Sequence, residues 1–230
     1  MTLKLYDLAG ADERLRFSPY CWRAKMALMH KGLAFETIPW RFTEKELLAP
    51  TGQGRVPVLV DGARWVHDSF KIAEYLDATY PDRPAIFPNA DAKAYAQFVA
   101  AWCEPVFMVL RPLAVPAVYA VVAEQDRSYF KQSREKALGP LDALGKDWPA
   151  GMTAVAQALK PAETRLAEQD FLNGVTPGYA DYTLYGTLRW PDTVCRTPVI
   201  APETAVARWY ARMSTLFGGK PGQGPTVRTL

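Results

Sequence analysis

The segment Ser18-Pro19-Tyr20-Cys21-Trp22-Arg23 concentrates side chains that could do chemistry. Serine followed by proline reads as a helix start, with Ser18 at the N-cap, Pro19 at the first helical position and Gly32 past the end. A hydroxyl there lies beside unsatisfied N–H groups and the positive end of the helix dipole, a place that favours an anion. It can donate to a bound thiolate and so keep a thiol ionised. Each unit of thiol pKa requires about 1.36 kcal/mol of preference for the anion, and dipole plus one charge-assisted hydrogen bond supplies about 2–3 kcal/mol. The same serine is also an ordinary cap.

Two further pairs belong with it. In Val56-Pro57 a proline opens a strand and is a candidate for a cis bond, which would leave the Val56 N–H and C=O free to pair with an extended peptide. Asp68-Ser69 begins a helix, where the serine hydroxyl and N–H groups suit a carboxylate and Asp68 suits an ammonium. Singly, each has a plain structural reading as an edge-strand proline or a cap. A thiol site, a peptide-backbone site and an amino-acid head-group site in one small unit together describe a receptor for glutathione.

The elements that must position these residues follow from periodicity. Leu3–Asp7 and Phe35–Ile38 read as strands on either side of the Ser18 helix, and a weak helical stretch runs from Thr43 to Leu48. Val56–Val60 and Ala63–Val66 form a hairpin on Asp61-Gly62, and the Asp68-Ser69 helix carries Phe70, Ile72, Ala73, Tyr75 and Leu76 on one face. The order β-α-β-α-β-β-α predicts an α+β fold, with a mixed four-stranded sheet covered by helices. Residues 1–80 form this unit, 81–90 a proline-rich linker, 91–217 an all-helical domain and 218–230 a flexible, glycine-rich tail. Helices are expected near 91–110, 125–144, 152–169, 179–190 and 202–217, with kinks or breaks at Pro105, Pro112 and Pro116.

Composition narrows the partners. With 49% hydrophobic and 22% charged residues the 230-residue chain can bury a large core. Its net charge of +3 comes from interspersed signs, so no basic patch points to nucleic acid or a membrane surface. Three unpaired-looking cysteines, Cys21, Cys103 and Cys195, argue for a reducing, cytoplasmic setting, and with only His30 and His67 no metal site is expected. The apolar run Pro112–Ala123 is too short to span a bilayer. His30 reads as a solvated helix-end residue. Trp102, Phe107, Met108, Tyr119 and Tyr185 are either core or the lining of an apolar pocket.

The chain resembles the cytosolic glutathione S-transferase family over almost its whole length: a thioredoxin-like domain, then helices. The matching strings are Ser18-Pro-Tyr-Cys-Trp-Arg, Arg55-Val-Pro-Val-Leu, Asp68-Ser-Phe-Lys-Ile-Ala-Glu-Tyr-Leu-Asp and Pro81-Asp-Arg-Pro. Gly178-Tyr-Ala-Asp181-Tyr is similar to the family's capping box, with glycine in place of Ser or Thr. Within the family the chain looks most like the Ser-type bacterial β-etherases and related fungal transferases, on Ile72-Ala-Glu-Tyr-Leu-Asp, Tyr80-Pro-Asp-Arg-Pro and Arg196-Thr-Pro.

The resemblance implies Ser18 as the catalytic hydroxyl and glutathione as co-substrate. It further implies Val56 and Pro57 as the clamp on the glutathione cysteine, Asp68 and Ser69 as the γ-glutamyl site, and Arg55 as an adjacent polar contact. Arg41 is a candidate for the glycine carboxylate. The partner substrate would be an apolar aromatic electrophile, with reductive aryl-ether cleavage as one outcome, and the protein would be a homodimer. Two other readings share these motifs: a non-catalytic glutathione or apolar-ligand carrier, and a thiol-disulfide oxidoreductase acting through Cys21.

Overall fold

The computed structural model describes residues 2–230. β1 (Leu3–Leu8) alternates buried leucines with polar residues and pairs in parallel with β2 (Phe35–Trp40), the two joined through α1 (Pro19–His30). β3 (Val58–Asp61) runs antiparallel to β1 on its other side, and β4 (Arg64–His67) returns along β3. The strand order is β2-β1-β3-β4, the mixed sheet that the sequence pattern predicts. Asp61 faces Arg64 across the hairpin, so Gly62 and Ala63 form the loop, and Gly62 takes φ 58°, which glycine adopts without a steric penalty. α2 (Ser69–Thr79) follows and packs with α1 and β4.

The second half is helical: α3 (Ala90–Val121), α4 (Glu124–Leu138), α5 (Trp148–Glu168), α6 (Tyr179–Val194) and α7 (Ala205–Thr215). α3 and α6 are the axis of this half, and α6 also packs along α1, joining the two halves. The expected breaks in α3 do not occur. The helix continues through Pro105, Pro112 and Pro116 for 32 residues, each proline removing only one intrahelical bond while the buried face, Val99, Cys103, Val106, Leu110 and Leu113, holds the axis in the core. By length and composition alone α3 could cross a membrane, but here it is the central helix of a packed bundle.

Asp181 organises the turn before α6. Its carboxylate accepts from the N–H groups of Leu172 (2.7 Å), Asn173 (3.2 Å) and Gly178 (3.1 Å), and from Trp209 Nε1 (2.8 Å). Burial pushes its carboxyl up to about 6, so it is ionised at neutral pH. Only half of a capping box exists, because Gly178 has no side chain to return the bond. A Cβ at Gly178 would lie 2.6 Å from Asn173 Cγ, so a side chain there would require the Asn173 amide to move.

Three segments are tied down by contacts from elsewhere in the chain. The 80–89 segment is clamped: Asp77 accepts from the Ile86 and Phe87 N–H groups (2.9 and 2.8 Å), and buried Lys31 pairs with Asp77 at 2.8 Å. His30 is half-buried rather than freely solvated. Its Nε2 meets the Ala85 carbonyl at 3.1 Å and its Nδ1 meets the Tyr182 hydroxyl at 2.5 Å, so the neutral ring carries its proton on Nε2. The glycine-rich tail is docked rather than loose: Pro221 is buried and accepts from Tyr185 (3.1 Å), the Val227 N–H reaches Thr193 O (2.9 Å), and Arg228 reaches Cys195 O (2.7 Å).

Candidate functional site

A cavity of about 470 Å³ lies between the sheet-side layer and the helices, and Ser18 is on its wall. Ser18 has extended backbone angles (φ −68°, ψ 124°) and caps α1, its Oγ accepting from the Cys21 N–H at 3.2 Å. A hydroxyl that accepts from the helix keeps its own proton to donate into the cavity. The first turn of α1 is fixed from below. Asp7, fully buried at the end of β1, pairs with Lys25 at 2.9 Å, and Trp22 Nε1 donates to Arg16 O at 2.8 Å. It is also fixed from the side: a Cβ at Gly186 of α6 would come within 2.3 Å of Pro19 O, so only glycine lets the two helices approach this closely.

Cys21, one turn into α1, does not reach the cavity. It is fully buried with Sγ toward Tyr6 O at 4.0 Å, and burial first, then the Asp7 charge, pushes its thiol far above the ordinary range. Arg23, which the sequence reading assigned no role, is a buried guanidinium over the Tyr20 ring (4.6 Å) that donates to Thr187 Oγ1 at 3.2 Å. Among the described residues no carboxylate pairs with it, so it leaves positive charge beside the first turns of α1. The local sequence does not separate Arg23 from Lys25, which also lacks a nearby acid and yet pairs with Asp7; only the tertiary structure singles Arg23 out.

Across from Ser18 stand Arg55 and Val56. The Val56–Pro57 bond is cis, and the ladder of β3 starts only at Val58, which puts the Val56 backbone groups outside the sheet register. Asp68 and Ser69 are not on the cavity wall; they lie at the N-terminus of α2. Asp68 takes φ 72° and ψ 127°, a conformation that costs a non-glycine residue about 1–3 kcal/mol, while its side chain accepts from the Phe70 and Lys71 N–H groups (2.9 and 3.0 Å). Ser69 is buried beneath it, and Phe70 meets Tyr179 of α6 edge-on at 5.3 Å, which anchors this helix end to the second half.

Arg41 is placed differently from the expectation. It is outside the cavity wall and its guanidinium is engaged by Glu13 (2.9 Å) and Glu44 (3.4 Å). Neither acid is a helical neighbour that the sequence pattern pairs with it. The helical wall consists of Phe107, Arg111, Val115 and Val118 of α3, Tyr129, Phe130 and Arg134 of α4, and Trp190 of α6. Of the five aromatic and methionine candidates, only Phe107 is there, tilted against Trp190 at 4.8 Å. Tyr185 is core, stacked on Tyr210, Tyr119 packs on Phe130, and Met108 is exposed. The steps of four from Phe107 to Arg111 to Val115 and from Phe130 to Arg134 are the helical signal that marks this wall.

Comparison with known proteins bears on this arrangement. Residues 17–79 match the glutathione S-transferase N-terminal domain and residues 94–209 match the glutathione S-transferase C-terminal domain. Glutathione S-transferase U13 of Arabidopsis thaliana is 33% identical over 228 residues, covering 93% of this chain and 89% of that protein. Glutathione S-transferase U28 of the same plant is 27% identical over 177 residues, covering 75% of this chain and 68% of that protein. Two solved fungal structures share the fold. Glutathione transferase GSTFuA3 from Phanerochaete chrysosporium has a TM-score of 0.83 at 22% identity, over 93% of this chain and 96% of its own. CsGST63524 of Ceriporiopsis subvermispora, solved in complex with glutathione, has a TM-score of 0.78 at 22% identity, over 94% and 96%.

Proposed function

The chain belongs to the glutathione S-transferase family, and from that premise we propose that it binds glutathione and lends its thiolate to an aromatic electrophile. One observation carries the reading. Ser18 Oγ, accepting at the α1 N-cap and free to donate, borders a cavity whose other sheet-side residues include Arg55 and Val56. The Val56 backbone groups, outside the β3 ladder and on the cavity wall, support a backbone clamp on the tripeptide's cysteine. Asp68 and Ser69 suit the ammonium and carboxylate of the γ-glutamyl end. With Arg41 held by two acids, Arg55 is the cation available for the glycine carboxylate.

In the reaction the sulfur–carbon bond forms as the leaving group departs with its electron pair, and Ser18 stabilises the thiolate before attack. An aryloxide leaving group would make the outcome aryl-ether cleavage, the chemistry of the etherases that the sequence resembles. Disulfide exchange through Cys21 is disfavoured, since an exposed thiolate is needed and this thiol is buried and protonated. The exposed apolar face of α3, with Phe98 66% and Met108 51% exposed, supports a homodimer.

The test is Ser18→Ala, read by conjugation rate and by the thiolate absorbance of bound glutathione against pH. Loss of one charge-assisted bond worth about 1.5–3 kcal/mol should cut turnover by about 10- to 150-fold and raise the bound thiol's pKa. Unchanged turnover would assign activation to the backbone N–H groups alone. Glutathione binding with no conjugation of any electrophile would make the protein a carrier.

A further inference from the structure

We infer that the electrophile is an aromatic compound carrying a permanent anionic group, a carboxylate or its equivalent, received by Arg111 and Arg134 on the helical wall of the cavity. The inference rests on the glutathione reading above and specifies the second substrate. The cavity wall contains three arginines, Arg55, Arg111 and Arg134, and no aspartate or glutamate. None of the three forms an ion pair among the described residues. Their hydrogen bonds are weak substitutes: Arg111 Nη1 points at the Met108 thioether (3.4 Å) and Arg134 Nη1 at the Ser133 hydroxyl (3.3 Å). A guanidinium has five donors in a planar fork, and most of these remain unused.

The two helical arginines also oppose each other. Burial pushes the Arg134 guanidinium below its ordinary range, with Tyr129 acting against this and the Arg111 charge acting in the same direction. Two cations brought together at a partly desolvated wall repel, and an anion between them converts that repulsion into attraction. Two nearby acids are already engaged elsewhere. Asp126 is buried and spends its oxygens on the Phe42 and Thr43 N–H groups and the Thr43 hydroxyl (3.0, 3.0 and 2.8 Å), and Glu44 is held by Arg41. With no carboxylate on the cavity wall, the matching anion is one that comes with the ligand.

The rest of the wall specifies what bears that anion. Arg134 lies over the Phe130 ring at 4.9 Å and within 5.7 Å of Phe42, so its plane is already fixed by aromatic faces. Phe107, Trp190 and Tyr20 surround the remaining space, which suits a flat ring. Glutathione's own carboxylates have Ser69 and Arg55 on the sheet side, leaving Arg111 and Arg134 to the electrophile.

The experiment compares 4-chloro-3,5-dinitrobenzoate with its uncharged carboxamide, each rate divided by the uncatalysed rate with glutathione. In both, the thiolate forms a carbon–sulfur bond and chloride leaves with the electron pair. The wild-type protein is expected to show at least about a tenfold lower KM for the benzoate, the gain of one charge-assisted bidentate contact. In Arg134→Met and Arg111→Met that preference should shrink about tenfold, with KM for glutathione held within about twofold. Unreactive 3,5-dinitrobenzoate should likewise outcompete its amide as an inhibitor of the wild-type protein, a measurement that needs no variant to fold.

Equal treatment of benzoate and amide by the wild-type protein overturns the inference. So does a variant that loses both substrates equally, which makes the arginines structural, or one that raises KM for glutathione, which gives them to the tripeptide. Absence of glutathione binding by calorimetry would instead overturn the reading of the site itself.

Discussion

The two walls of the cavity are made of different material. On the sheet side, Ser18 and Val56 of the wall, and Asp68 off the wall at the α2 N-terminus, are positioned by backbone: a cap accepting from Cys21, a residue just before a strand ladder, a cap accepting from two N–H groups. On the helical side the polar groups are the ends of long side chains, Arg111 and Arg134, held by a thioether, a hydroxyl and ring faces. A wall built on backbone geometry cannot shift without disturbing the sheet, so it suits a constant ligand. A wall of side-chain ends changes with single substitutions and leaves the helices intact, so it suits a ligand that differs from protein to protein.

Asp181 is the place where the helical half is built like the sheet half, and it gives the sharpest way to break the comparison. Four donors converge on its buried carboxylate, which links the turn before α6 to Trp209 of α7. Asp181→Ala strands all four, at a cost of about 3–5 kcal/mol, and should lower Tm by about 10 °C. Substitutions of Arg111 or Arg134 should leave Tm within about 2 °C, since they sit at the cavity wall with no ion pair to lose. A thermal melt of the three variants decides it: comparable losses would mean that the helical wall is as rigidly specified as the sheet.

That division also explains what was legible in the sequence. The Ser18-Pro19 helix start, the Asp61-Gly62 hairpin and the Asp68 cap are local signals, each complete within a few residues, and the structure has an N-cap, a turn and an N-cap there. The mixed sheet followed from their order. What stayed hidden depends on partners far along the chain. Arg41 is held by nearby Glu44 but also captured by Glu13, 28 residues away, and His30 by Tyr182, 152 residues away. The tail looked loose because glycine and proline composition carries no sign of the Thr193 carbonyl that receives Val227. α3 looked broken because three prolines weigh against a helix locally, while its burial against α6 and α5 is tertiary. The arginines of the helical wall were invisible for the same reason: Arg111 and Arg134 are unremarkable helix residues until the fold sets them on one cavity.

A smaller effect tests the sheet half at Asp68, which lies outside the cavity wall. Asp68→Asn keeps an N-cap of equal strength and removes only the charge. If Asp68 faces the ammonium of glutathione, KM for glutathione should rise about tenfold, the loss of one charge-assisted bond, with Tm unchanged within about 2 °C. A fall in Tm with no change in KM would mean that the strained backbone at φ 72° serves the fold alone.

The smallest predicted effect concerns the seam between the halves, where His30 of α1 holds Ala85 and Tyr182. Burial lowers its pKa below the ordinary 6.5, with Lys31 acting in the same direction and the Ala85 hydrogen bond and Asp77 against it. The folded state therefore resists a proton that the unfolded chain accepts. The stability that the neutral ring contributes is fully present above about pH 6.5 and is lost as the pH falls toward the lowered folded value. The cause is visible in the hydrogen bonds: a proton on Nδ1 would face the Tyr182 hydroxyl, which now donates to that nitrogen and would have to turn away inside the core. His30→Gln retains one donor and one acceptor without titrating. At pH 7.5 it should cost no more than about 1 kcal/mol, and between pH 7 and pH 5 its Tm should fall less than that of the wild-type protein. Parallel Tm curves for the two proteins over that range would show that the seam does not sense the His30 charge, and that the two walls are joined by packing of α1 on α6 alone.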